Sequence, residues 1–174
     1  MNRYHLFRLL FCLSFGLVFT TQANAQQTDY KYHAIFIYNF TKYLQWPNAG
    51  SSEFVIGILG NSDIQPELEK MAQNKMVGSQ KIVVKKFSSH GEVSNCQMLF
   101  VPQNHNKHLS EIMDKAKKSN TLVITESPGM AAKGSHINFI IKDNRWRFEL
   151  NKKATDDTSI KIAQELVKLS IPID

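Results

Sequence analysis

Apolar positions along the chain switch between helical and strand spacing, and the switches divide it into elements. Residues 53–59, Glu-Phe-Val-Ile-Gly-Ile-Leu, are apolar on both faces, as a central parallel strand requires. Residues 81–87 predict a second strand, with Lys85 and Lys86 marking an exposed end or edge. Residues 97–101 predict a third, closed by Pro102, and residues 121–125 a fourth, broken by Ser127-Pro128-Gly129. A helix lies between the first two, with Pro66 in its first turn and its end near Gln73. Another covers residues 107–118. Leu109, Ile112, Met113 and Ala116 form its apolar stripe, and Lys115, Lys117 and Lys118 suit its negative end. Strands 135–142 and 145–150 flank Asp143-Asn144, a two-residue hairpin linker. A last helix is expected over residues 154–170, with Ile160, Ala163, Leu166 and Val167 inward.

Residues 30–47 stand before all of these and hold four of the five tyrosines and one of the two tryptophans. Phe36, Ile37, Phe40, Tyr43 and Leu44 recur at helical spacing, so the segment predicts a helix docked on the sheet and ended by Pro47. Ile35, Asn39, Lys42 and Trp46 fall on another face. Asn39, Thr41, Lys42 and Gln45 interrupt the apolar run, which excludes a membrane span. Residues 48–52 read as a loop. The order of elements predicts an α/β fold. It is a three-layer sandwich, a mainly parallel central sheet with an antiparallel C-terminal hairpin and helices on both faces.

The N-terminus changes the compartment. Arg3 and Arg8 precede an apolar run, and Ala23-Asn24-Ala25 is a small-x-small cleavage site. Residues 1–25 are therefore expected to be a signal peptide cleaved after Ala25, leaving residues 26–174 as a single exported, periplasmic domain. The formal charge of +6 falls by two with the leader, and the remaining excess is spread out. No dense basic block points to nucleic acid. Cys96 alone remains after cleavage, so the product has no internal disulfide. Burial beside Met98-Leu99-Phe100-Val101 is its default; an exposed thiol joining two chains is the alternative.

Chemical motifs are sparse. Gly57-Ile58-Leu59-Gly60 has neither the spacing nor the lysine of a phosphate loop and better suits a tight turn. His105 and His108 stand three apart, with His90 and Cys96 upstream. They lie in a polar run without the clustered ligands of a zinc site, so no metal or cofactor is expected. Ser127 has no nucleophile elbow around it. No catalytic residue is assigned and no enzyme is expected. Arg145, Arg147, Glu149 and Asn151 alternate with Trp146, Phe148 and Leu150. That pattern is a half-buried strand with a solvated face, or a charged strip presented to a partner.

Several segments together resemble the YfiR/HmsC-like family of bacterial periplasmic proteins. They are Tyr38-Asn39-Phe40, Leu44-Gln45-Trp46-Pro47, Ile58-Leu59-Gly60, Cys96 to Val101, Leu122 to Thr125, Ile137-Asn138-Phe139, Arg147 to Asn151 and Leu166 to Leu169. The resemblance covers most of the exported chain. It implies a regulator that binds the periplasmic portion of an inner-membrane sensor or diguanylate cyclase and holds it down. Release then raises cyclic di-GMP and promotes biofilm. Some members carry paired redox-sensitive cysteines, whereas this chain keeps one. The family's motifs assign no catalytic or partner-binding residues. Trp46, Arg145, Arg147 and Glu149 are the candidates for partner contact, and a homodimer stays open. Two other readings stand beside this one. One is a small-molecule binder using the crevice near Gly60 and Pro102. The other is a hydrolase or metal-dependent enzyme using Ser127, Cys96 or the histidines.

Overall fold

The computed structural model describes residues 29–47 and 51–173. The expected signal peptide, with its cleavage site after Ala25, lies outside the described residues, as do residues 48–50 of the expected loop. The chain runs α1 (Tyr30–Phe40), β1 (Leu44–Gln45), β2 (Glu53–Leu59), α2 (Ile64–Asn74), β3 (Met76–Val77), β4 (Gln80–Phe87) and β5 (Met98–Val101). It continues with α3 (Leu109–Ser119), β6 (Leu122–Thr125), β7 (Ile137–Lys142), β8 (Arg145–Asn151), α4 (Lys152–Asp156), β9 (Lys161–Ile162), α5 (Gln164–Leu169) and β10 (Ile171–Ile173). Short 3-10 turns occupy His90–Glu92 and Gln103–His108.

The main sheet has the order β10-β8-β7-β6-β5-β2-β4-β3. β4, β2, β5, β6 and β7 are mutually parallel, and β7–β8 forms the antiparallel hairpin. Asp143 and Asn144 both adopt positive φ, 52° and 55°, the twist that a two-residue hairpin needs. Strand order reverses between β2 and β5, which defines the switch point of a doubly wound sheet.

Period-two alternation sends each central strand's side chains into two cores. Phe54, Ile56 and Ile58 of β2, with Met98 and Phe100 of β5, join Ile37 and Phe40 of α1, Ile64 and Leu68 of α2, and Leu166 of α5. On the other face Leu59, Leu99, Val101 and Val123 pack against Leu109, Ile112 and Ala116 of α3. Ile37 and Phe40 are 0% and 1% exposed, and each such burial contributes roughly 1.5–3 kcal/mol. The three layers expected from the sequence are therefore present.

Two helices differ from expectation. α1 ends at Phe40, not at Pro47. Thr41 donates its hydroxyl back to Tyr38 O at 2.6 Å, and Leu44–Gln45 leaves the helix to pair antiparallel with Lys161–Ile162. Trp46 consequently follows a short strand and does not end a helix. The helix expected over residues 154–170 is divided. Thr158 donates to Thr155 O at 2.7 Å and accepts from Ile160 N at 3.1 Å, so hydroxyl turns replace helical bonds. Ser159 N is drawn to Asn120 Oδ1 at 2.8 Å. The segment then makes β9, α5 and β10, and β10 pairs parallel with residues 149–151 of β8.

Candidate functional site

The clearest unfilled surface lies where α1 meets the edge of the sheet. β10 covers β8 only from Glu149 to Asn151, so residues 145–148 have no neighbouring strand on that side among the described residues. Beside this open edge is a groove of about 440 Å³. Phe36, Asn39, Phe40 and Tyr43 of α1 form one wall, Trp146, Arg147 and Phe148 the floor, and Leu166, Lys168 and Leu169 of α5 the other wall. The sequence builds it simply. Phe148 and Phe40 meet edge to face at 4.9 Å and anchor the floor, while helical spacing leaves Phe36 and Asn39 at the rim. Tyr32 and Ile35 sit one turn before Phe36 and Asn39, and Ile141 is the cross-strand partner of Trp146. These three and Leu169 are 40–54% exposed, which extends the apolar surface around the groove. Its charged lining residues, Arg147 and Lys168, are both cationic, and Lys142 and Arg145 lie at the adjoining hairpin.

Below the groove sits His33, fully buried. Its ring lies 4.1 Å from that of Phe139 and 4.6 Å from that of Trp146, and neither nitrogen has a protein hydrogen-bond partner among the described residues. Burial holds its pKa down at about 4.

A second hollow, of about 670 Å³, occupies the switch-point crevice. Asn61, Ser62 and Asp63 after β2 face Pro102, Gln103 and Asn104 after β5, with Tyr30 and Glu126 closing it. Tyr30 donates to Glu126 Oε1 at 3.3 Å. Burial, then the neighbouring Glu126 carboxylate, pushes the Tyr30 hydroxyl up to about 12, and burial also raises Glu126. Gly60 permits the turn at this mouth. Its φ is +72°, and a Cβ there would lie 2.3 Å from His105 Nε2.

The four partner candidates from the sequence do not form one site. Trp46 lies by the N-terminal ends of the central strands, half-buried, donating Nε1 to Gln97 O at 3.1 Å with its ring edge-on to Phe54. Arg145 and Arg147 are exposed near the opposite end of the sheet, opposite Lys142 and Ile140 on β7. Glu149 terminates an internal polar chain. Thr125 donates to Asn138 Oδ1 at 2.8 Å, and Asn138 Nδ2 donates to Glu149 Oε2 at 2.8 Å. Sequence reasoning missed Tyr32, Trp146 and Leu169 as surface. The continuous helix that spacing predicts over residues 154–170 conceals the position of Leu169 beside an open strand edge.

The remaining chemical candidates are not gathered into a catalytic set. Val123 N donates to His136 Nδ1 at 2.9 Å, and Ser127 Oγ makes no hydrogen bond to a described group. His105 stacks over Gly60, whereas His108 turns toward His90. Cys96 is 4% exposed, and burial raises its thiol to about 11. It is expected to resist alkylation in the native protein and to react fully once unfolded in denaturant, measured by mass spectrometry. Rapid native labelling would contradict this placement.

The described residues form a doubly wound α/β domain with an apolar, cation-rimmed groove between α1 and α5. Comparison with protein families matches the YfiR/HmsC-like description over residues 30–171, and the chain belongs to that family. Comparison with curated proteins finds no match. The YfiR/HmsC-like family is periplasmic, regulatory and not enzymatic, and is known for control of diguanylate cyclases. Among the described residues no helix is long and apolar enough to cross a membrane.

Proposed function

We propose that this protein is exported as residues 26–174 and represses an inner-membrane diguanylate cyclase by direct contact through the α1–β8 groove. Family membership supports this reading of the partner, and the open β8 edge beside exposed Leu169 is the observation that carries it. The occupant is an extended segment of the cyclase's periplasmic portion. It adds a strand alongside residues 145–148, continuing the line of β10, and inserts apolar side chains between α1 and α5. Lys142, Arg145, Arg147 and Lys168 select a segment that also carries carboxylates.

Deleting the gene is expected to raise cellular cyclic di-GMP several-fold, with restoration by the intact chain. An unchanged level would exclude repression of a cyclase. A second reading, a small-molecule binder, is favoured by the polar switch-point crevice. A ligand that raises the melting temperature of the wild type but not of a Glu126→Ala variant would support it over the groove.

A further inference from the structure

We propose that His90, His108 and Glu111 form a zinc site that ties the β4–β5 connection to the first turn of α3. The site is independent of the groove and uses residues that no part of the repressor reading requires. His90 belongs to the 3-10 turn His90–Glu92, and His108 ends the turn that leads into α3. Glu111 follows His108 by three residues, which puts the two on one side of the helix start. Lys115, one turn further on, donates to His90 O at 3.0 Å and Gly91 O at 2.8 Å. Those bonds hold the His90 turn over the helix without using any of the three ligand side chains.

The imidazoles stack with centroids 4.3 Å apart and planes 20° from parallel, and both address one carboxylate. His90 Nε2 lies 2.7 Å from Glu111 Oε2, and His108 Nδ1 lies 3.9 Å from Glu111 Oε1. The three donors all fall within 4.8 Å of one another. Zinc takes imidazole nitrogen and carboxylate oxygen at roughly 2.0–2.2 Å, so tetrahedral ligands stand about 3.3–3.5 Å apart. The observed separations bracket that value, and closing the site requires the half-buried imidazoles to turn out of their stack so that their nitrogens converge with the exposed Glu111 carboxylate. A histidine–carboxylate hydrogen bond accounts for His90 and Glu111 but leaves His108 beyond hydrogen-bond reach; a shared cation accounts for all three. Two histidines and one glutamate are an established zinc ligand set, with the fourth position left to solvent. Glu111 is 62% exposed, which gives an ion access. Spacing alone singled out His105 with His108, but His105 faces Gly60 and is not among the three donors.

The test is calorimetric titration of the purified, tag-free protein with zinc chloride, paired with thermal melting. The wild type is expected to take up a single equivalent and to melt higher when loaded. His90→Ala and His108→Gln are expected to weaken binding at least about tenfold, while His105→Ala leaves it unchanged. Melting of each variant without zinc verifies that it is folded. Absence of zinc uptake by the wild type, or equal uptake by the folded His90→Ala/His108→Gln double variant, would overturn the assignment. Neither result touches the groove, whose variants are read by partner binding.

Discussion

Between about pH 7 and about pH 4 the folded protein is expected to lose on the order of 6 kcal/mol of stability, through two histidines held neutral in the core. His33 and His136 are both 0% exposed, and burial lowers each from 6.5 to about 4. With the folded pKa below the unfolded one, their contribution is complete above about pH 6.5. It is lost as pH falls toward 4, because the unfolded chain takes up protons that the core refuses. At about 1.4 kcal/mol per pH unit, the window is worth on the order of 3 kcal/mol per histidine. Glu126 acts in the opposite sense: burial raises its carboxyl, so acidification removes a buried charge and returns part of the loss. Urea unfolding across this range measures the slope. His33→Leu is expected to remove about half of it while staying folded at neutral pH, since it also eliminates two buried nitrogens without protein partners. A wild-type midpoint that does not move with pH, or a wild-type slope in His33→Leu, would contradict the account. Because His33 lies against Trp146, acid unfolding at this point also dismantles the floor of the groove.

The second large effect is on partner binding. Leu169→Asp and Arg147→Glu are each expected to weaken the complex with the cyclase's periplasmic portion by at least tenfold, about 1.4 kcal/mol apiece. Leu169→Asp puts a carboxylate where an apolar side chain docks. Arg147→Glu reverses the charge that an acidic segment meets. Both positions are exposed, so their melting temperatures should stay near the wild type. Met76→Asp is the control. Met76 is 53% exposed but lies on β3 at the far edge of the sheet, and its substitution should leave binding unchanged. Affinity measured by titration checks all three. A tenfold loss in Met76→Asp, or none in the other two, would move the site elsewhere.

The central strands were readable in the sequence because their residues are apolar on both faces, and the hairpin because Asp143-Asn144 tolerates positive φ. The register of α1 was also readable: Ile37 and Phe40 are buried and Ile35 is exposed, as helical spacing predicts. Its end was not, because the pairing of Leu44 with Ile162 depends on a strand more than a hundred residues away. The C-terminal segment failed for a related reason. Ile160, Ala163, Leu166 and Val167 recur at helical spacing, yet the Thr155 and Thr158 hydroxyls bond the backbone of Asn151 and Thr155 and turn the chain before Ile160. The groove followed from that failure, since a continuous helix provides neither β10 nor the uncovered stretch of β8. Period-two alternation did mark Arg147 as outward-facing. It set Glu149 on the same outer face, whereas Glu149 is half-buried and accepts from Asn138, its partner across the hairpin.

The most direct test of repression by contact is site-specific photo-crosslinking in cells from a probe placed at Leu169. The groove reading predicts an adduct with an inner-membrane protein carrying a diguanylate cyclase domain, joined through its periplasmic portion, and loss of that adduct when Arg147→Glu is added. Adducts only with other proteins, or a cyclase adduct that forms equally from a probe at Met76, would contradict it.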